Sequence, residues 1–435
     1  MTQPKWTDGI NLFGYFEANH SIGEASRDFL YYCTKSGFNI VAINIDKESE
    51  YEEIRWVKQF YGKPEKDYIN IFITNLDEVP IVVPSYIRNK RPTLEVVFWE
   101  YESGLEKYKT ALNYLDGCIA TTEFIEKALK KVAPKDFPIY YCRYPYVRKK
   151  YLIDTISKEE SKKRFNLPSD KYLFFYNFDF NSSYKRKNPE AIIDAFYESK
   201  LAGKAALVFK TSNSVLHKND YLKFQCKLKD LNLENDIVQV NEYLSRKDYC
   251  VLMNGCDAYI SLHHGEGLGL GMLEAFDLGI PVIATGYSGN LDFCNDHTCT
   301  LVSYQLEKNN DDHPNYSMVK EWAKPSVREA ALAMRDFYSS YPRKQIQEAT
   351  DYLHNEFNLS KFNCYLDDII AHTPIISNTL SNKESHCKVV LAFKIIFYAF
   401  LRKMPLNTNI KNKYDMLWRR CRATRKAMQR YSLFN

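Results

Sequence analysis

Two glutamates stand at fixed positions in the most distinctive stretch of the chain, which runs from Ser261 to Thr285. The stretch reads Ser-Leu-His-His-Gly-Glu-Gly-Leu-Gly-Leu-Gly-Met-Leu-Glu-Ala-Phe-Asp-Leu-Gly-Ile-Pro-Val-Ile-Ala-Thr, which places Glu266 in a glycine-rich loop and Glu274 in a following helix. Such a loop presents backbone N–H groups and the positive end of a helix dipole, which bind phosphate or sugar oxygens. A carboxylate inside the helix can accept hydrogen bonds from two neighbouring hydroxyls, such as those of a ribose. The stretch therefore predicts a site for a nucleotide joined to a group rich in hydroxyls.

Basic residues follow two other predicted strands. A run of three cations at residues 185–187 comes after the apolar segment 172–178, and Lys210 ends the apolar segment 205–210. Cations at strand ends can neutralise the diphosphate charge that develops when a sugar leaves a nucleotide. Charge runs are more often solvated surfaces, but two separate strand ends favour the binding interpretation.

A loop in the first half offers a further candidate contact. It runs from Glu17 to Arg27, between a predicted strand at 10–16 and a predicted helix at 23–36, and Ser21 and Glu24 in it are spaced as a capping box. Ligands of open α/β sheets bind beside the carboxyl ends of strands, which is where this loop lies. The loop has no Gly-x-Gly-x-x-Gly pattern, so it does not favour a dinucleotide cofactor. The alternative is an ordinary capped helix start.

Apolar segments alternate with helical segments through both halves of the chain. The predicted strands of the two halves lie at 10–16, 38–45, 69–73, 94–98 and 117–120, and at 172–178, 205–210, 237–240, 258–262 and from 281 onward. Two consecutive α/β units of similar size predict an α/β protein with two Rossmann-like domains that face each other across a cleft.

The glycine-rich stretch also resembles a known family. Its Glu-x7-Glu spacing inside Leu-His-His-Gly-Glu-Gly-Leu-Gly-Leu is similar to the signature of retaining glycosyltransferases of family 4, which have the GT-B fold. The segment Gly279–Phe293, the loop Gly23–Arg27 and the Arg-Lys-Asn-Pro run that starts at Arg186 resemble the same family. The resemblance spans about residues 10–370 and is strongest between 178 and 293.

The alternating segments and the resemblance together predict a division of the chain up to residue 373, and the tail beyond it lies outside the family pattern. The predicted parts are an N-terminal Rossmann-like domain on the acceptor side at 1–150, a C-terminal Rossmann-like nucleotide-sugar-binding domain at 165–355, a helix crossing back to the N-terminal domain at 356–373, and a basic amphipathic helical tail at 374–435.

The resemblance also implies roles in donor binding. Glu274 would hold the donor ribose, and Glu266 would bind the sugar hydroxyls and the diphosphate together with the backbone amides of Gly267, Leu268, Gly269 and Leu270. Arg186, Lys187 and Lys210 would offset the charge of the leaving group, and Gly23 would approach the donor phosphates from the first domain. Many relatives carry an arginine a few residues upstream of Arg186, where this chain does not.

Three further side chains complete the candidate set. Glu100 and Glu102 lie in Phe98-Trp-Glu-Tyr-Glu102, which resembles a Trp-Glu-x-Glu segment of one subgroup, and either would orient the acceptor hydroxyl or contact the transferred sugar. An edge-strand aromatic patch is an equal alternative for this segment. His264 stands beside Glu266 with His263 before it, and their spacing to other residues favours a sugar contact or local hydrogen bonding over metal binding.

Relatives of this fold work without a bound metal, and no Asp-x-Asp pattern suited to Mg²⁺ lies in a donor loop. We therefore expect no cofactor and no metal. The eleven cysteines are dispersed without a Cys-x-x-Cys pair, which is typical of reduced thiols in a cytoplasmic protein. The N-terminal residues lack an apolar signal core and no segment reaches transmembrane length.

The end of the chain differs in charge from the rest. Residues 387–435 contain twelve Lys and Arg against one acid, whereas the rest of the chain is net negative. An apolar segment at 389–401 and a basic cluster at 419–426 favour contact with the inner face of a membrane, and a protein partner or a helix packed on the body are the alternatives. Nucleic acid is not expected as a partner, because the rest of the chain is acidic.

The expected function is transfer of a sugar, with retention of configuration, from a nucleotide-diphosphate sugar to a hydroxyl of a glycan or lipid-linked acceptor. The family suggests surface polysaccharide biosynthesis. A sugar phosphorylase would need a lysine context for pyridoxal that the sequence lacks, and a UDP-sugar epimerase of this fold would lack the residues around the Glu-x7-Glu. A catalytically silent GT-B scaffold in a polysaccharide-assembly complex is the alternative from another functional class.

Overall fold

The computed structural model of the protein describes residues 9–45, 55–87 and 91–373. Within these ranges the chain forms two parallel six-stranded sheets flanked by helices, and an additional two-stranded hairpin. The basic tail predicted at 374–435 lies outside the described residues. Among the described residues, no helix combines the length and the apolar character needed to cross a bilayer.

The first domain is built on the first of these sheets. Its strands are β1 (Gly9–Gly14), β2 (Asn39–Asn44), β3 (Ile69–Phe72), β4 (Thr93–Val97), β5 (Gly117–Ala120) and β6 (Ile139–Tyr141). Its helices are α1 (Ser21–Lys35), α2 (Arg55–Lys58), α3 (Val79–Tyr86), α4 (Lys109–Leu112) and α5 (Glu123–Val132). The strands pair in the order β2-β1-β3-β4-β5-β6, so the direction of winding reverses beside β1.

The second domain is built on the second sheet. Its strands are β7 (Tyr172–Asp179), β8 (Ala205–Ser212), β9 (Ile237–Asn241), β10 (Ala258–Ser261), β11 (Val282–Thr285) and β12 (Thr300–Val302), in the order β12-β11-β10-β7-β8-β9. The helices between and around them are α6 (Lys158–Arg164), α7 (Tyr184–Lys187), α8 (Pro189–Ser199), α9 (Lys218–Asp230), α10 (Arg246–Asn254) and α11 (Leu270–Leu278). The chain continues with a hairpin of β13 (Tyr304–Lys308) and β14 (Glu321–Pro325), then α12 (Val327–Ser339), α13 (Arg343–Glu356) and α14 (Leu359–His372).

Burial on both faces explains the apolar strand sequences. Successive residues Leu12 and Phe13 of β1 are both fully buried, each in a different hydrophobic cluster. A strand covered on both faces needs apolar side chains in both directions, so it reads as a continuous apolar run. The α/β class and the pair of Rossmann-like domains predicted from these runs are confirmed. The domain boundaries stay predictions.

The predicted capping box at the start of α1 is wrong. The helix begins at Ser21, and the cap is His20, whose Nδ1 accepts the backbone N–H of Gly23 at 3.1 Å. The Glu24 carboxylate pairs with Arg27 at 2.9 Å and with Lys149 at 2.8 Å instead of turning back to the helix start. Charge pairing with distant residues thus takes precedence over the local spacing.

Two elements after the second sheet return to the first domain. Tyr316, in the loop of the β13–β14 hairpin, packs its ring 5.9 Å from that of Trp99 and 5.1 Å from that of Tyr101. Helix α14 lies against α1, where the rings of Phe362 and Phe29 are 6.1 Å apart. The two elements therefore form buried aromatic contacts with the first domain.

Candidate active site

The candidate site lies where the second sheet changes its direction of winding. From β7 the chain runs outward through β8 and β9, then returns to the other side of β7 with β10. The loops after β7 and β10 leave neighbouring strand ends, and open α/β sheets bind ligands at such a point. The connection after β7 carries the cations at 185–187 on the short helix α7, and the loop after β10 carries Glu266.

Glu266 is held by two cations of the loop after β7. Its carboxylate pairs with Lys187 Nζ and lies 3.4 Å from Arg186 Nη1. Arg186 also donates from Nη1 to the carbonyl of Gly265 at 2.9 Å and from Nε to the carbonyl of Ser182 at 3.2 Å. The structure thus brings these three predicted residues together in one buried cluster, which we call the Glu266 cluster.

Burial and pairing set the charges of this cluster. Burial opposes ionisation of Glu266, but Lys187 and Arg186 outweigh it and lower the pKa of the carboxyl to about 2. Burial also lowers the pKa of the Lys187 ammonium, against the attraction of Glu266. Glu266 is therefore an anion at neutral pH and a weak proton acceptor.

Glu100 and Glu102 occupy different places. Glu100 Oε1 lies 3.8 Å from Arg186 Nη2, and its side chain is 20% exposed. The Glu102 side chain is 60% exposed and pairs with Lys131 at 3.2 Å. The structure brings Glu100 from the first domain to the Glu266 cluster and places Glu102 on the surface, so Glu100 is the better placed for a role at the site.

Glu274 is buried in a second cluster. Its carboxylate pairs with Arg246 Nη2 and accepts the hydroxyl of Tyr249 at 2.8 Å. Arg246 and Tyr249 lie one turn apart at the start of α10, next to α11, which carries Glu274. Arg246 Nε lies 3.5 Å from Glu24 Oε1 of the first domain. We call this the Glu274 cluster.

Two glycines of the loop permit close approach of the first domain. A Cβ on Gly265 would lie 2.5 Å from the carbonyl oxygen of Glu100, and a Cβ on Gly267 would lie 3.1 Å from that of Trp99. The Gly267 carbonyl accepts the hydroxyl of Thr122 at 3.2 Å. A side chain at either glycine would push the two domains apart.

The end of the loop leads directly into α11. Gly269 has φ 90°, a left-handed conformation that favours glycine, and the helix starts at the next residue, Leu270. No side chain caps this helix start, and Leu268 before it is buried. The N–H groups of the first turn are therefore not satisfied by a capping side chain, and such helix starts bind anions.

Gly23 directly precedes Glu24, which reaches the Glu274 cluster through Arg246, and Lys210 lies in β8. The Gly23 N–H donates to His20, and a Cβ there would lie 2.2 Å from the carbonyl oxygen of Ala18, so the tight turn itself requires glycine. Lys210 Nζ lies 5.8 Å from the ring centroid of Tyr243, and burial lowers the pKa of its ammonium.

The two histidines of the loop differ in surroundings. His264 stacks on Trp322 with ring centroids 4.0 Å apart, and its Nδ1 lies 2.5 Å from the carbonyl oxygen of Ala323. Its ring therefore joins the loop to strand β14. His263 is fully buried, and among the described residues neither ring nitrogen has a hydrogen-bond partner. Burial lowers the pKa of His263 to about 3.

Sequence reasoning missed several residues of the site. Arg246 and Tyr249, which hold Glu274, and Tyr316, whose ring centroid lies 5.9 Å from Arg186 Cζ, were not candidates. Their contacts join residues far apart in the chain, so spacing carries no signal for them. For Arg246 and Tyr249 the nearest sequence signal is their position at the start of α10, the helix that precedes β10 and the glycine-rich loop.

An α/β chain with two facing Rossmann-like domains and a glycine-rich loop at the switch point of the second sheet has the GT-B architecture. Residues 157–311 match the sequence profile of the family described as glycosyl transferases group 1, a range that holds the Glu266 and Glu274 stretches. This part of the chain carries a domain of that family, and the protein is a glycosyltransferase.

Solved structures show the same fold at low sequence identity. HepE from Anabaena, in complex with UDP and glucose, is 12% identical with a TM-score of 0.63, covering 83% of this chain and 99% of its own. Sucrose-phosphate synthase from Thermosynechococcus elongatus is 14% identical with a TM-score of 0.61, covering 83% and 98%. A glycosyltransferase from Rickettsia africae is 14% identical with a TM-score of 0.57, covering 86% and 100%. Among curated proteins, none matches the chain by sequence.

Within the part of the chain that the structure describes, no group of three His, Cys, Asp or Glu side chains is arranged to hold a metal ion. Chemically, the site offers two buried cations, a helix start and two carboxylates around one strand-end junction. That combination suits an anionic donor that also carries hydroxyl groups.

Proposed function

We propose that the protein transfers a sugar, with retention of anomeric configuration, from a nucleotide-diphosphate sugar to a hydroxyl of a glycan or lipid-linked acceptor in surface polysaccharide biosynthesis. The observation that carries the proposal is the Glu266 cluster beside the start of α11. The family match and a fold neighbour solved with UDP and glucose support the donor class.

The leaving diphosphate would be neutralised by Arg186 and Lys187. A guanidinium has five donors and an ammonium three, so both retain donors for phosphate oxygens while they pair with Glu266. Charge stabilisation of this kind in a dry site is usually the largest single contribution to the rate. We propose that these cations replace a metal ion in the reaction and that no cofactor is needed.

Glu266 would bind sugar hydroxyls instead of taking the acceptor proton. A carboxyl with a pKa of about 2 is a poor base at neutral pH. In our proposal an oxygen of the leaving phosphate takes that proton as the acceptor attacks from the same face of the sugar. Glu100, which reaches the cluster from the first domain, would orient the acceptor hydroxyl.

Two measurements test this function. We expect a nucleoside diphosphate to raise the melting temperature of the protein, with preference for one base, and the rise to survive EDTA. With the matching nucleotide sugar as sole substrate, proton NMR of the slowly hydrolysed sugar should show the donor's anomeric configuration at early times.

Each outcome has a clear meaning. No shift with UDP, ADP, GDP or CDP would favour the silent scaffold, a shift abolished by EDTA would contradict metal independence, and an inverted product would contradict retention. The cytoplasmic location and the membrane contact of residues 374–435 remain predictions.

A further inference from the structure

Arg246 stands between the two domains in the Glu274 cluster. Its Nη2 pairs with Glu274 of the second domain, and its Nε lies 3.5 Å from Glu24 of the first. The side chain is 17% exposed, while those of Glu24 and Glu274 are 10% and 4% exposed. A guanidinium enclosed between two buried carboxylates has little freedom to move, because each carboxylate left alone would be costly.

The contacts to Glu274 fix the orientation of its carboxylate without occupying all of its hydrogen-bond acceptor positions. Arg246 engages Oε1, and the Tyr249 hydroxyl donates to Oε2 at 2.8 Å. A carboxylate has about four acceptor positions, so two donors from α10 leave two positions for other hydroxyls. Two hydroxyls on adjacent carbons of a ribose match such a pair of acceptors.

The contact to Glu24 adds the first domain to this arrangement. Glu24 lies in the first turn of α1 and also pairs with Lys149 at 2.8 Å, which pairs with Asp28 at 2.7 Å. Burial opposes the charge of Glu24, but Lys149, Arg246 and Arg27 lower its pKa well below its usual range. Glu24 is thus a fixed anion on the first domain to which Arg246 is tied.

We propose that Arg246 is a positioning residue for the donor ribose, which orients the Glu274 carboxylate toward the ribose hydroxyls and ties it to the first domain through Glu24. This inference rests on the proposed function, because it concerns the ribose of the donor nucleotide. It assigns to Arg246 a part in recognising ribose over deoxyribose that the Glu-x7-Glu pattern does not contain.

The experiment compares ribonucleotides with their deoxy counterparts. Dissociation constants of UDP, ADP, GDP and CDP and of their 2′-deoxy forms are measured by calorimetry with the full chain. We expect the wild-type protein to prefer the ribo form of its best base by about tenfold or more, the effect of a hydrogen bond to a charged group. In Arg246→Gln the ratio should fall toward one.

Two further variants separate a local effect on Glu274 from a failure of Arg246→Gln to fold. Tyr249→Phe removes one donor to Glu274 without a change of charge and should lower the ribo-to-deoxy ratio in part. Glu24→Gln keeps both donors to Glu274, so it should weaken both nucleotides by the same factor and leave the ratio unchanged. Melting temperatures identify any variant that fails to fold.

Arg148→Gln is the matched control. Arg148 Nε pairs at 3.0 Å with Asp277, which lies on the same helix as Glu274, one turn later. This control should keep the wild-type ratio. A wild-type ratio in folded Arg246→Gln and Tyr249→Phe would overturn the inference while the proposed function stands, and failure of the wild-type protein to bind any of the eight nucleotides would overturn both.

Discussion

Glu266 and Glu274 have parallel surroundings. Each pairs with an arginine of the second domain, Arg186 or Arg246, and each arginine also faces a glutamate of the first domain, at 3.8 Å for Glu100 and 3.5 Å for Glu24. Two Glu–Arg–Glu bridges therefore join the domains on either side of the start of α11.

The two bridges differ in what surrounds them. Beside Glu266 the additional group is Lys187, a second cation that can turn toward a phosphate. Beside Glu274 the additional groups extend into the first domain, through Glu24 to Lys149 and Asp28. At the first bridge two cations face two carboxylates, and the cations keep hydrogen-bond donors for a ligand. The second bridge is a network of paired charges that extends into the first domain. We therefore propose that the Glu266 side acts in sugar transfer and that the Glu274 side acts in donor binding and alignment.

The largest expected effect is on the Glu266 side. Arg186→Met should lower the rate of sugar transfer by about 10²–10³-fold, because a preorganised charge at the leaving group is lost. Initial rates with saturating nucleotide sugar measure it. Lys185→Met is the control, since Lys185 Nζ donates to the carbonyl of Asn310 in the hairpin loop and should leave the rate near that of the wild type. Equal rates for Arg186→Met and wild type would contradict the role of the cluster.

On the Glu274 side the effect should be on affinity. Glu274→Gln keeps the size of the side chain but removes the charge that accepts ribose hydroxyls. We expect nucleotide diphosphate binding to weaken by about 10–100-fold, with a smaller change in kcat than Arg186→Met causes. Titration calorimetry and KM values measure the two quantities. If Glu274→Gln lowered kcat and left KM unchanged, the assignment of affinity to the Glu274 side would be contradicted.

The glycine beside the Glu266 cluster, Gly265, can be tested by a change in stability. Gly265→Ala places a Cβ 2.5 Å from the carbonyl oxygen of Glu100, which is backbone and cannot turn aside. We expect the free energy of unfolding in urea to fall by about 1–3 kcal/mol. Gly286→Ala is the control, because its nearest contact is 3.3 Å, and it should cost less. Equal losses would show that close domain contact is not the reason for Gly265.

A smaller effect should appear as a dependence on pH. Burial lowers the pKa of His263 to about 3 in the folded protein, while the unfolded chain binds the proton below about pH 6.5. Above pH 6.5 the ring is neutral in both states, so it does not reduce the free energy of unfolding. As the pH falls from 6.5 toward 3, only the unfolded chain takes up the proton, and the free energy of unfolding falls by up to about 1.4 kcal/mol per pH unit.

Urea unfolding of the wild type and of His263→Asn across this range isolates the effect. Burial raises the pKa values of Asp28 and Asp292 to about 6, which acts in the opposite direction but cancels in the difference between the two proteins. The wild type should lose more stability than the variant on acidification. Parallel curves would show that His263 can accept a proton in the folded state.

The sequence predicted the elements of this site better than their contacts. Apolar runs such as 172–178 identify strands because a sheet buried on both faces needs them. The loop with Glu266 was recognisable because its glycines and its helix are local. By contrast, the spacing of Ser21 and Glu24 predicts a capping box, because spacing does not show that Arg246 and Lys149 lie within reach of Glu24.

The hairpin shows the same limit. Strand β13 is mostly exposed. Its first four residues alternate apolar and polar side chains, but this short run does not show which surface the hairpin packs against. Its importance comes from Tyr316 and Trp322, whose side chains pack in a cluster with Trp99 of the first domain. Such packing depends on the assembled fold, which a local pattern does not contain.

That hairpin bears on the order of events during synthesis. Trp99, Tyr101 and Tyr108 of the first domain are buried in a cluster that includes Tyr316, Val319 and Trp322. Those last side chains leave the ribosome only after all six strands of the second sheet. Domains generally begin to fold from the N-terminus as they emerge. The aromatic side chains of the first domain therefore stay uncovered by their hairpin partners until the second domain has been almost completely synthesised.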